Sequence, residues 1–222
     1  MMHLGRLEEA AAELRKAVDG APLDPEAANN LGLVLLRMKD TAGAIEALER
    51  AVRVNPNLIK AHSNLAQAYL RAARAEDSRQ ASRRAAELTG QERALGRAMI
   101  LVQTAKQKPG DVAGLREAVR LSPQFDEAHF YLGVALGNSE EAAGEFRRTL
   151  ELNPARADAH YRLGLLLEAK GNGAAAVAEY EEAIRKAPCS PEVRLALGRA
   201  LAAVGEKARG EAEMAAAKAL QN

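Results

Sequence analysis

The 222-residue chain carries 31 Lys plus Arg against 30 Asp plus Glu, a formal charge of +1, so no overall basic excess points to nucleic acid. It is 48% hydrophobic and 27% charged, which excludes a disordered tail; aromatics are only 3% and Trp is absent, so the core must be built from Ala, Leu and Val. No apolar run approaches the roughly 18 residues of a membrane span, the opening MMHLGRLEEAAAELRKAV lacks the apolar segment of a secretory signal, and a single cysteine, Cys189, excludes an internal disulfide. A cytoplasmic address follows by default.

Taken in order, residues 1–24 read as one helix that closes at Pro22, the second half of a helical hairpin whose first half is missing. The chain therefore reads either as a piece cut from a longer array or as an array capped by this one helix. Complete hairpins are expected at about 25–58 and 59–91, followed by a degenerate one at 92–125 whose first helix has no clear register. A shortened hairpin at 126–156 turns abruptly at Gly137-Asn138-Ser139, and full-length hairpins follow at 157–190 and 191–222. Closing Pro residues mark the period: Pro22 and Pro56 lie 34 apart, as do Pro154 and Pro188. Gly90 is expected to act as the stopper at the position where the next Pro would fall.

Within each unit the same residue types return. Leu is followed by a small residue at Leu31-Gly32, Leu65-Ala66, Leu132-Gly133, Leu163-Gly164 and Leu197-Gly198. In the second helix a small residue recurs at Ala51, Ala85, Ala118, Thr149, Ala183 and Ala217, with a larger one three places before it at Leu48, Leu115, Phe146, Tyr180 and Met214. Small against large at fixed spacing is the pattern of two antiparallel helices in close approach. Asp24-Pro25-Glu26 and Ser190-Pro191-Glu192 supply an N-cap, a Pro in the first turn and a favourable acidic charge.

This pattern resembles the tetratricopeptide repeat family. The match is carried by Ala28, Leu31, Gly32, Leu35, Ala44, Leu48, Ala51 and Pro56 in one unit and by His160, Leu163, Gly164, Leu167, Ala176, Tyr180, Ala183 and Pro188 in another. The resemblance implies an all-α fold, a right-handed superhelical solenoid of antiparallel helix hairpins with about six and a half repeats. It also implies a non-enzymatic scaffold that holds a protein or extended peptide in a concave groove, without cofactor, nucleic acid or membrane. Two other roles fit the same repeat. The array could be the docking arm of a larger enzyme whose catalytic part lies elsewhere, or a structural module whose exposed ends stack into homo-oligomers.

No catalytic residue or metal ligand is expected. His62, His129 and His160 each stand at position 4 of their own unit, spread one per hairpin as packing residues and not clustered as ligands. No Gly-Xaa-Ser-Xaa-Gly turn or phosphate-cradling loop is present. The family's groove positions nominate Asn30, Lys60, Asn64, Gln67, Arg71, Arg93, Arg97, Phe130, Tyr131, Tyr161, Arg162 and Arg199 as partner-binding residues. Asn30 and Asn64 recur at position 6, where an amide suits a peptide backbone. Lys60, Asn64, Arg93 and Arg97 form a candidate anion site, and Phe130, Tyr131 and Tyr161 a candidate anchor pocket for a side chain.

Overall fold

Local signals start and stop the helices. Asp24 accepts hydrogen bonds from the amides of Glu26 and Ala27 and opens one helix at Pro25. Asp40, Asp111, Ser139 and Asn172 each accept from an amide three residues on and start the second helix of a hairpin. The first helix ends just before a left-handed residue: Lys39, Ala73, Gly110, Gly171 and Gly205 all have φ between 59° and 98°. The shortened turn works differently. Gly137 combines φ 64° with ψ −130°, a conformation open essentially to glycine alone, and it reverses the chain without the missing residues.

The computed structural model describes residues 2–221, and the side chains of 5–221. In chain order the described residues form α1 (Met2–Gly20), α2 (Pro25–Arg37), α3 (Thr41–Val54), α4 (Ile59–Arg71), α5 (Ala75–Gln107), α6 (Val112–Leu121), α7 (Asp126–Leu136), α8 (Glu140–Leu152), α9 (Ala157–Ala169), α10 (Gly173–Lys186), α11 (Pro191–Ala203) and α12 (Lys207–Ala219). No strand occurs among the described residues. The fold is all-α, built from antiparallel helix hairpins.

One compact unit ends at Arg93 and a second begins at Ala94. The core of the first packs Val18 of α1 with Leu31, Leu35 and Leu36 of α2, Leu48 and Ala51 of α3, Leu65 and Tyr69 of α4, and Ala81 of α5. In the second, Ala98, Val102 and Ala105 pack on Leu115, Ala118, Ala128 and Leu132. Phe130, Phe146, Leu163 and Leu166 continue that core, and Val177, Tyr180, Leu197 and Leu201 complete it. Small residues set the spacing inside hairpins. A Cβ on Gly32 would lie 2.5 Å from Leu48, and one on Gly133 would lie 2.8 Å from Phe146.

One expectation is corrected. Gly90 does not stop a helix: α5 runs unbroken for 33 residues, through the boundary expected at 91/92. The physical reason lies in what surrounds Gly90. A lone Gly costs a helix about 1 kcal/mol, whereas termination takes a Pro, a cap or a left-handed residue, and ELTGQERALG offers no Pro or positive φ. The stretch also lacks an apolar seat for a following helix. Val18, Val52, Val119, Leu150 and Ile184 occupy the place after the small residue in other second helices and pack into the core. Ala86 stands at that place in α5 and is exposed.

The buried residues of α5 also settle the register that the sequence leaves open. Between Ala94 and Gln107 the buried residues are Ala98, Val102 and Ala105, at the spacing of Ala159, Leu163 and Leu166 in α9. Val102 thus takes the place of the register Leu, eight residues before the left-handed Gly110 as Leu163 is before Gly171. Positions therefore count from Gly96 and not from Glu92.

Candidate functional site

The first helices of the hairpins carry the candidate positions. In the first unit these belong to α2 and α4, and their polar side chains are largely bonded to one another. Asn64 Nδ2 donates to Asn29 Oδ1 at 2.9 Å, and Asn29 is only 2% exposed. Lys60 pairs with Glu26. The Arg71 guanidinium donates to the carbonyl of Leu36 at 2.7 Å, satisfying one of the free acceptors at the C-terminus of α2. Lys60, Asn64 and Arg71 thus tie α4 to α2. Asn30 and Gln67 are exposed on the same helices.

Of the residues nominated for an anion site, Lys60 and Asn64 lie on α4 of the first unit. The shallow cleft beside Lys60, Ser63 and Asn64 is lined from α5 by Glu92, which brings a negative charge and not a guanidinium. Arg93 and Arg97 are both exposed, one at the end of the first unit and the other in the second. In the corrected register Leu101, not Arg97, occupies the position equivalent to Asn64.

In the second unit the aromatic residues divide by burial. Phe130 is 5% exposed, with the Arg156 guanidinium 4.2 Å above its ring, Tyr131 edge-on at 5.2 Å and Phe146 at 5.8 Å. It is a core residue, so the anchor role expected of it is corrected: its surface is already consumed by packing. Tyr131 is half-buried, with the Lys106 ammonium 4.7 Å from its ring centroid. Lys106 also bonds Glu127 at 2.7 Å, and that carboxylate raises the lysine's pKa against a smaller opposing effect of burial. Tyr161 is half-buried and lies 6.0 Å from Tyr180. Arg162 and Arg199 are exposed.

Two features escaped the sequence reading. Met99 and Ile100 of α5 are 53% and 68% exposed; with Val134 of α7, 37% exposed and at a position the family resemblance already places in the groove, they make the first helices of the second unit present apolar side chains to solvent. The signal in α5 was hidden because Val102-Gln103 stands where Leu-Gly marks the register elsewhere. The second feature is a polar pair inside hairpins. His129 Nδ1 lies 2.6 Å from Glu145, His160 Nδ1 lies 2.7 Å from Glu179, and Arg194 donates to Glu213 at 2.6 Å. The recurrent spacing of 19 residues from His160 to Glu179 and from Arg194 to Glu213 was available in the sequence.

Among the described residues no group of three or more His, Cys, Asp or Glu side chains is placed to hold a metal ion. Among them, too, no helix is long and apolar enough to cross a membrane. Cys189 is exposed in the connection between α10 and α11.

Comparison with known proteins gives no match among curated proteins. Solved structures similar to this chain include MamA, at 21% identity over 86% of this chain and 94% of that one, with a TM-score of 0.47. Another is YrrB, described as a TPR protein with an unusual peptide-binding site, at 22% identity over 80% of this chain and 94% of that one, with a TM-score of 0.36. The APC/C hetero-tetramer Cut9–Hcn1 matches at 16% identity over 97% of this chain and 43% of that one, with a TM-score of 0.48. A family profile described as tetratricopeptide repeat matches residues 2–59 and 134–191, more than half of the chain. The hairpins, their Gly-against-large contacts and this match agree: the chain belongs to the tetratricopeptide repeat family.

Proposed function

We propose that this protein is a non-enzymatic interaction scaffold whose first-helix faces bind a protein or an extended peptide. The observation that carries this reading is the exposure of Met99, Ile100 and Val134 on first helices of the second unit, whose opposite faces are fixed in a core. Apolar side chains held rigidly in water bind without first having to be ordered, which lowers the entropic cost of association. Tyr131, Tyr161, Arg162 and Arg199 stand at the remaining candidate positions of that unit, and aromatic and Arg side chains are the ones that most often anchor interfaces. In the first unit, Asn30 and Gln67 offer the polar complement, because Asn64, Lys60 and Arg71 are engaged in holding α4 to α2.

Selection of random dodecapeptides on the immobilised chain, followed by fluorescence anisotropy of the enriched peptides, tests this. Ile100→Asp and Val134→Asp should each weaken binding about tenfold or more while leaving the helical signal and Tm unchanged. Peptides that bind both variants as tightly as the parent chain would remove the first-helix faces from the mechanism.

A further inference from the structure

Laid over one another by position, the hairpins share a place where the first helix meets the second through a carboxylate. Glu145, Glu179 and Glu213 fill it in α8, α10 and α12, facing His129, His160 and Arg194. In the hairpin of α2 and α3 both partners are alanines, Ala28 and Ala47, and both are buried. The hairpin of α4 and α5 keeps only half of the pair. His62 is 7% exposed, and its Nε2 lies 2.8 Å from the Pro56 carbonyl, as His129 Nε2 lies 3.1 Å from that of Pro123. The same ring nitrogen makes the same backbone bond in both, and in His129 the other nitrogen, Nδ1, meets Glu145. Ala81 stands where the glutamate would be.

A cleft of about 420 Å³ lies at this place in the first unit, and His62, Tyr69, Gln80, Ala81, Arg83 and Arg84 are among the residues lining it. Two carboxylates also reach its wall, and both are engaged: Asp77 accepts from Arg74 at 2.6 Å, and Glu87 pairs with Arg84 at 3.4 Å. Arg83 is exposed and enters none of these pairs. The cleft therefore combines a fixed imidazole, a guanidinium and an apolar floor of Val52 and Leu65, at the size ordinary for a small-ligand site.

We propose that this cleft is a carboxylate-binding site, in which a carboxylate from outside the chain takes the place that Glu145, Glu179 and Glu213 hold in the other hairpins. With both ring nitrogens protonated, His62 donates from Nε2 to the Pro56 carbonyl and from Nδ1 to the incoming carboxylate. Arg83 supplies a second, charge-assisted donor. The carboxylate can come from an acidic side chain of a bound protein or from a free small acid. The site is separate from the first-helix faces and does not depend on their function.

The test follows the ring resonances of His62 by nuclear magnetic resonance in the full chain, assigned among the four histidines with His62→Gln. The probes are sodium acetate, an end-blocked Gly-Ser-Glu-Ser-Gly peptide and its Gln counterpart, all at constant ionic strength. A saturable shift with acetate and with the Glu peptide, but not with the Gln peptide, is the expected result. Tenfold tighter saturation by the Glu peptide assigns the site to a protein side chain, and equal saturation assigns it to small acids. Arg83→Ala should raise the half-saturation point about tenfold, and Ala81→Glu should abolish the response by filling the place from within. No shift with either carboxylate, or an equal shift with the Gln peptide, overturns the proposal. So does an undiminished response in Ala81→Glu; should that variant not fold, an undiminished response in Arg83→Ala decides in the same sense.

Discussion

A Cβ added to Gly164 would stand 2.5 Å from Cε1 of Tyr180, closer than real side chains approach. The ring of Tyr180 is fully buried in that position, and its hydroxyl donates to Glu168 at 2.7 Å, so it has little room to withdraw. Gly198 meets Met214 at 2.7 Å in the same way. Gly164→Ala should therefore destabilise the chain by about 1–3 kcal/mol, the usual cost of overpacking, measured by urea unfolding. Gly198→Ala should do the same, because its neighbours include the Gly210 carbonyl, a backbone atom at 2.8 Å. An unchanged transition in Gly164→Ala would mean that the two helices do not rely on this approach.

The His–Glu pairs give a second prediction. His160 and Glu179 are both largely covered, with side chains 13% and 26% exposed, so their contact is shielded from water more than a surface pair. A double-mutant cycle with His160→Ala and Glu179→Ala should return a coupling of about 1–2 kcal/mol. The exposed pair Lys16–Glu13, at 74% and 72%, should return at most a few tenths. Equal couplings would remove the pairs from the account of hairpin stability.

These pairs also show where sequence reading works and where it loses information. The Leu-Gly register, the closing Pro residues and the N-caps are local, so composition at fixed spacing reveals them. Histidines at position 4 were legible as packing residues for the same reason. Phe130 was misjudged because burial depends on Arg156 and Phe146, which lie 26 and 16 residues further along the chain. Asn64 was legible as polar and inward, but not as the partner of Asn29, a bond across 35 residues. The identity of a binding face thus depends on which side chains neighbouring hairpins have already engaged.

That distinction separates two groups of substitutions. Asn64→Ala removes the donor to a carboxamide oxygen that is 2% exposed with its residue, so it should cost about 1–2 kcal/mol and lower Tm. Gln67→Ala and Arg199→Ala, at exposed positions, should stay within about 0.5 kcal/mol of the parent. Thermal unfolding of the three variants decides. A neutral Asn64→Ala would return Asn64 to the set of residues available to a partner.

Alkaline pH should weaken the first unit through Tyr69. Burial, reinforced by the hydrogen bond to Glu49 at 2.7 Å, pushes its pKa up from 10.0 to about 12. The folded state then holds a proton that the unfolded chain releases, so stability falls as pH rises. The contribution is intact below pH 10.0 and is lost progressively towards about 12. Tyr69→Phe should flatten this part of the stability profile, measured by urea unfolding at constant ionic strength. A Tyr69→Phe profile parallel to the parent's would exclude Tyr69 as the source.

Gly90 offers the sharpest test of the continuous α5. No atom lies within 4 Å of a Cβ built on it, and it does not have positive φ, so nothing in the fold requires a glycine there. In a continuous helix Gly90→Ala should stabilise by up to about 1 kcal/mol, because alanine gains helix propensity without meeting a neighbour. In a turn that stops one helix and starts another, the same change would strain a position chosen for glycine and destabilise by a comparable amount. The sign of the shift in Tm therefore distinguishes the two arrangements. Gly90→Pro sharpens the contrast, since proline inside a helix costs about 3 kcal/mol and removes a backbone donor. Amide exchange over 86–97 should then accelerate in Gly90→Pro and slow in Gly90→Ala. A stabilised Gly90→Pro would show that the chain turns at this residue.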